Sequence, residues 1–507
     1  MIPGPAEAPV NSSLGAHVLP IMAAVIIGTS ANQIAWNIVG VALPRMQGAY
    51  SASPDQIAWV MSSFVLGSTL MFACSGWLAV RFGRRRVFLI SIAVFTVTLF
   101  TCASAPTLET QVFWRFIQGL AGAALIPLGH AIAVDAYPRS RFGEATVVWS
   151  IGLSASSAIA PVIGGFLVND YGWRSVYYFM MPLSIASFIA AWAFVPETEV
   201  EPRRRMDWLG IAGLIVLVAA VQVLLNWGQR LDWFAAPEIQ VCAVLALLGL
   251  YIFVLQCVTS EHPFLAPEIF RDLNFLLGLF FGALQGGLVM LSLVIMPLLL
   301  EGLVGYSVVD AGNLMLPRGI GVISGMILIA KLSDRVDPRY LLITGFLGIA
   351  TSSYFMSGWN LDVRPEGVAM ANFILGMGGG IAFVPITMLA FSSLPKKFET
   401  EGFALFYLVY YTGVAVGIAA MLNVVSHSAQ VNHAELSQHV NLYNKLFHLP
   451  SSTGFWNRDD TTGLTSLAHE ISRQANMIAY DNGFTLTMIC ALGAIPLVLL
   501  FRRPAEE

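Results

Sequence analysis

Charge is scarce in this chain: 11% of its 507 residues are Asp, Glu, Lys or Arg, whereas 57% are hydrophobic. Too little polar surface remains to cover a soluble core, so a soluble globular fold is excluded. Paired cysteines are also missing. Cys74, Cys102, Cys242, Cys257 and Cys490 each fall inside an apolar run and share no ligand-like spacing. They are expected to be small packing residues rather than a disulfide framework or a metal site. No strict alternation of apolar and polar residues occurs, which sets a membrane β-barrel aside. Nor is there a nucleophile with its base, a metal-ligand cluster or a phosphate-cradling loop, so no enzyme activity, no cofactor and no nucleic-acid partner is expected.

What the chain does have is apolar runs of about 20 residues, repeated from end to end, each long enough to cross a hydrocarbon layer as a helix. The fold class is therefore an all-α polytopic membrane protein, with the lipid bilayer as its solvent. Fourteen helices are expected at about 18–43, 57–79, 87–106, 111–135, 145–168, 175–195, 208–228, 238–258, 273–300, 308–330, 340–358, 366–392, 402–427 and 483–502. Met1 to Ala16 carries no charged start followed by a short apolar core, so no cleavable leader is expected. Most of the 26 Lys and Arg residues fall in the loops on the side of Arg81, Arg84, Arg85 and Arg86. Positive residues collect on the cytoplasmic side, which puts both termini there, in an inner (plasma) membrane.

An internal repeat organises these helices. Phe116-Ile-Gln-Gly119 with Gly122 recurs as Phe373-Ile-Leu-Gly376 with Gly379, Tyr50-Ser51 recurs as Tyr306-Ser307, and the arginine-rich hinge at Arg81 recurs around Arg335. The three offsets agree within a few residues. They join helix 1 to helix 9 and helix 4 to helix 12. The expected organisation is a cytoplasmic start (1–17), a six-helix half (18–195), two inserted helices (196–260), a second six-helix half (273–502) and a short end (503–507). Two like-oriented halves with a site at their interface is the plan of an alternating-access carrier. The second half would include a polar outer loop over 428–481, large enough to carry a small helix or a docking surface. Its histidines, His433, His439, His448 and His469, match no metal spacing.

Intramembrane charge marks function by default. Arg115 lies within helix 4, and its repeat mate is Asn372; Gln118 is three residues on and shares its face. Arg318 follows Pro317 in helix 10, and a structural role is favoured for it. Gly and Pro in Ala160-Pro161-Val-Ile-Gly164-Gly165 allow a helix to bend and to approach a neighbour closely.

These stretches resemble the major facilitator superfamily, and specifically its fourteen-helix drug:proton antiporter branch, the EmrB/QacA-like multidrug efflux permeases. Gly76 to Arg86 is similar to the family's signature between helices 2 and 3, Trp114-Arg115-Phe-Ile-Gln118-Gly119-Leu-Ala-Gly122 to its helix 4 signature, and Ala160 to Gly165 to the helix 5 motif of exporters. Gly172-Trp173-Arg174 and Asn226 to Phe234 also match. The resemblance implies a major facilitator fold and export of small amphipathic or aromatic compounds by proton antiport. It also implies a periplasmic adaptor and an outer-membrane channel as partners in a cell with two membranes. Gating residues would be Gly76, Arg81, Gly83 and Arg84, their copies Asp334 and Arg335, and Pro161, Gly164 and Gly165.

Several of the family's charges are absent. The acidic position of helix 1 is Ala35, the aspartate of the first loop signature is Val80, and helix 13 has Tyr410 and Tyr407 where an arginine and an asparagine are usual. Neutral and aromatic groups stand in their place: Gln33, Trp36, Asn37, Gln118, Asn226, Tyr407, Tyr410 and Tyr411, suited to a substrate cavity between halves. Proton coupling is assigned to Arg115 with His130 or Asp135, Glu301 being a further acidic candidate. Two rival readings stay open: an uncoupled or metabolite-specific carrier, and a non-transporting receptor or scaffold of the same fold.

Overall fold

The computed structural model describes residues 13–502 apart from 53, 139–140, 199–206, 229–230, 232, 261–264, 333–334 and 441–460. All regular structure among the described residues is helical. In chain order the helices are α1 (Ser13–Ala49), α2 (Pro54–Phe82), α3 (Arg84–Ser104), α4 (Leu108–Asp135), α5 (Phe142–Tyr171), α6 (Ser175–Phe194), α7 (Trp208–Trp227), α8 (Pro237–Thr259), α9 (Leu273–Leu299), α10 (Val308–Leu332), α11 (Pro338–Met356), α12 (Pro365–Phe391), α13 (Glu399–Gln438) and α14 (Thr461–Ala494). Among the described residues, twelve of them are long and apolar enough to cross a membrane. Closing every backbone hydrogen bond within the segment is what allows such runs to sit in lipid.

Local chemistry sets the ends. Gly83 separates α2 from α3 with φ 91°, a left-handed conformation that a side chain strains. Thr107 opens α4 by accepting from the Thr110 backbone, and Asp272 and Asp337 cap α9 and α11 in the same way. Pro338 follows Asp337 at a position where its missing N–H costs nothing.

The end of the chain differs from expectation. Of the segment 428–481, expected to be an outer loop able to carry a small helix, the described parts 428–438 and 461–481 are helix: α13 continues to Gln438 and α14 begins at Thr461. The apolar stretch marks only where a helix can meet lipid. Beyond it, polar residues continue the helix through four-residue contacts, such as Asn432 donating to the Ser428 carbonyl at 2.7 Å and Gln474 donating to Glu470 at 2.8 Å. His448 lies outside the described residues.

The chain folds into two compact units: 1–219 with 246–271 and 394–408, and 220–245 with 272–393 and 409–507. In the first unit α2 packs on α4, α1 packs on α5 and α6, and α3 packs on α4 and α6. α4 is its central helix, buried from Gly122 to Val134 without a break. In the second unit α12 is central, packed by α9, α10 and α11, and α14 packs on α11. By contrast α8 exposes Val244, Leu247, Tyr251 and Val258 to more than 60%, a surface that only lipid solvates without cost.

The repeat read from the sequence is a repeat of packing. A Cβ at Gly119 of α4 would overlap the Phe64 carbonyl of α2, and one at Gly376 of α12 would overlap the Arg318 carbonyl of α10. Glycine at both positions lets backbones meet, where dispersion is strongest and no hydrophobic gain distinguishes one helix from the lipid. Phe64 and Arg318 are thus structural counterparts, as are Arg115 and Asn372.

Candidate functional site

Arg115 sits in α4 one turn before Gly119, and is wholly buried. Its Nε donates to the Val60 carbonyl of α2 at 3.2 Å, one terminal nitrogen donates to Gln118 Oε1 at 2.6 Å, and the other faces Met61 Sδ at 3.8 Å. The guanidinium lies 4.2 Å from the centre of the Phe64 ring, whose edge meets Trp36 of α1 at 5.6 Å between centroids. Every partner of this cation is neutral. A desolvated guanidinium over an aromatic face gains about 2 kcal/mol, which offsets part of the burial cost. Trp36, Arg115 and Gln118 therefore come together, through a phenylalanine that no sequence signal marked.

His130 lies further along α4 and is also fully buried. One ring nitrogen is 3.0 Å from the Tyr407 hydroxyl and the other 3.1 Å from Thr146 Oγ1 of α5. The imidazole stacks on Trp149, 4.5 Å between centroids and 3° from parallel, with Phe403 against it at 4.4 Å. Thr146, Trp149 and Phe403 were not foreseen, because they lie on other helices and have no spacing relation to His130. One nitrogen can donate and the other must accept when the ring is neutral, a pattern two hydroxyls can always satisfy.

Asp135 is not a free carboxylate. It forms an ion pair with Arg84, whose Nε also donates to Thr400 Oγ1 at 2.8 Å. Arg84 begins α3 and Asp135 ends α4, so each charge sits at the unfavourable pole of its own helix. Pairing compensates both. The remaining hinge arginines are also engaged: Arg81 lies over the Trp77 and Phe82 rings, Arg85 donates to the Trp192 carbonyl at 2.6 Å, and Arg86 pairs with Glu197 at 3.4 Å. Gly76 of α2 stands against Glu401 and Ala404 at the start of α13, where a Cβ would be about 3.0 Å from Ala404.

The helix 5 motif divides. Gly164 is where α5 meets Ile38 of α1, while nothing lies within 4 Å of a Cβ at Gly165. Pro161 is on the exposed face of α5. Asn37 donates to the Gln33 carbonyl at 2.8 Å and to Ser157 of α5 at 3.3 Å, so its amide faces α5 and its own helix. The neighbouring Asn32, missed from sequence, is 3% exposed and fills the space left by Gly122.

In the second unit Tyr410 packs on Gly286 of α9 and meets Phe383 edge-on at 6.0 Å and Tyr411 at 5.4 Å. Arg318 donates to the Val289 carbonyl at 2.6 Å. Glu301 is exposed in a wide turn after α9, and Arg335 is exposed. Asp334 and the side chain of Asn226 lie outside the described residues.

A central helix whose close glycine contact recurs in the second unit, and which in the first carries a buried arginine, agrees with one family model that matches residues 25–418. The chain belongs to the Major Facilitator Superfamily. It is a multi-pass membrane protein of that superfamily. Among similar members, the multidrug export protein EmrB of Haemophilus influenzae is 27% identical over 97% of this chain and 96% of its own length. The fatty acid resistance protein FarB of Neisseria gonorrhoeae is 26% identical over 92% of each chain. The solved structure of the proton:xylose symporter XylE is 13% identical and superposes with a TM-score of 0.61 over 96% of both chains, a likeness of fold.

Proposed function

We propose that this chain is a secondary transporter of the inner membrane that exports small amphipathic or aromatic compounds by alternating access, in exchange for protons. End-to-end similarity to multidrug export proteins supports the export of such compounds. The observation that carries the coupling is the placement of Arg115 and His130, two wholly buried ionisable groups on one central helix, among neutral partners. An intramembrane cation held without a counter-charge responds strongly to any proton or ligand charge that arrives beside it. Arg115 would set the field felt by the substrate and the proton. Gln118 orients it, and the paired Arg84 and Asp135 would hold the gate at Gly76 to Arg86. Cytoplasmic termini follow from the positive loops. A periplasmic adaptor and an outer-membrane channel would complete export from a cell with two membranes.

The test uses purified protein in proteoliposomes with an internal pH-sensitive dye and an imposed pH gradient, challenged with a panel of amphipathic compounds. Substrate-triggered proton movement in the wild type, absent in Arg115→Ala, is the expected result. An uncoupled carrier is the second reading, favoured by Ala35 in α1 and by the engagement of Asp135 with Arg84. Substrate flux that ignores the gradient would establish that reading and overturn antiport.

A further inference from the structure

The two arginines buried among the described residues differ in how fully they are used. Arg115 spends each of its three nitrogens on a neighbour and its face on Phe64. Arg318, 7% exposed, spends one nitrogen on the Val289 carbonyl, and its Nη1 has no hydrogen-bond partner among the described residues. No described carboxylate pairs with it. A buried charged donor without an acceptor is among the most expensive states a polar group can adopt, and one that persists asks for an occupant.

The surroundings say what kind. One turn of α12 gathers the site: Gly376 touches the Arg318 backbone, and Gly379 borders both Val289 and Gln285. Gln285 is 4% exposed and donates to the Gly379 carbonyl at 3.2 Å, leaving its Oε1 without a partner. Asn372, one turn earlier on α12, leaves its Oδ1 unpartnered as well. Tyr410 packs its ring on Gly286, beside Gln285 and one turn of α9 before Val289. Phe383 and Tyr411 extend the aromatic wall from Tyr410. An orphan cation, an orphan amide oxygen and a cluster of rings lie within a single unit.

We propose that Arg318, with Gln285 and the Tyr410–Phe383 rings, forms an anion-binding subsite that takes the carboxylate of a planar aromatic acid. The guanidinium fork supplies the donors a carboxylate needs, and the carboxylate supplies the missing counter-charge. The rings receive the apolar body of the ligand. Gln285 Oε1 accepts from a hydroxyl or amide N–H on that body, which favours aromatic acids carrying such a donor. The repeat explains why the first unit has no such subsite: its counterpart of Arg318 is Phe64, already covered by Arg115.

This subsite rests on the export reading only for its biological use, so binding is measured without any gradient. The full chain in lipid nanodiscs is titrated by calorimetry with 2-naphthoate and with its neutral isostere 2-naphthamide. The wild type is expected to bind the carboxylate at least about tenfold more tightly. Arg318→Gln is expected to remove that preference while its naphthamide affinity stays within about twofold of the wild type. Arg318→Lys keeps the charge but not the fork, and serves if the glutamine variant does not remain monodisperse; a loss of several-fold for naphthoate alone is expected. Equal wild-type affinity for acid and amide overturns the subsite, as does an undiminished preference in either variant. Wild-type export of a cationic dye, assayed separately in proteoliposomes, reports on the transporter reading and is independent of both outcomes.

Discussion

The imidazole of His130 is held 3.0 Å from the Tyr407 hydroxyl, 277 residues away in the chain, inside the first unit. Its second nitrogen is committed to Thr146 and its face to Trp149. A histidine fixed on all sides reports on its neighbours, and its removal is felt by three helices.

Tyr407→Phe deletes one partner of His130 and leaves a buried ring nitrogen unsatisfied. Loss of about 1–3 kcal/mol of stability is expected. Thr146→Val should cost a similar amount, and the double variant less than the sum, because both changes act through one imidazole. Tryptophan-fluorescence melts in detergent check this, and full additivity would contradict a shared role.

Gln118→Ala leaves a terminal nitrogen of Arg115 without its 2.6 Å acceptor. Transport in proteoliposomes should fall by about tenfold or more, whereas Gln118→Glu, which places a carboxylate beside the cation, should raise thermal stability and still impair transport. Unchanged transport in both variants would remove Gln118 from the site.

Arg84→Gln and Asp135→Asn should each weaken the hinge, and the two effects should overlap. A coupling of about 1 kcal/mol is expected from a double-mutant cycle, since the pair is partly shielded from solvent and held at two helix ends. Thermal melts of the four proteins give the cycle directly, and a coupling of zero would show that the ion pair contributes nothing.

Gly119→Val and Gly376→Val should abolish folded protein, because each side chain would be driven into a facing carbonyl. Gly165→Ala meets nothing within 4 Å and should be tolerated, with a small helix-propensity gain. Monodispersity on size exclusion separates the two classes.

Pattern in the sequence carried the helices because hydrocarbon thickness and backbone satisfaction leave one solution for a long apolar run. The match of Phe116-Ile-Gln-Gly119 to Phe373-Ile-Leu-Gly376 carried the repeat for a related reason: a backbone approach needs glycine at one position and leaves that letter in the chain. Arg115 announced itself by its cost in lipid. The helical extent of 428–438 and 461–481 was hidden, since hydropathy reports where lipid is and not where hydrogen bonding stops.

What the sequence by itself determined was the solvent, the number and order of the helices, and the buried charges that need an explanation. Only the tertiary structure decided which neighbours answer those charges: Phe64 and Val60 for Arg115, Arg84 for Asp135, Tyr407 and Thr146 for His130. It alone separated the saturated Arg115 from the half-used Arg318. Side-chain partners on different helices obey no spacing rule, so they exist only once the helices have packed.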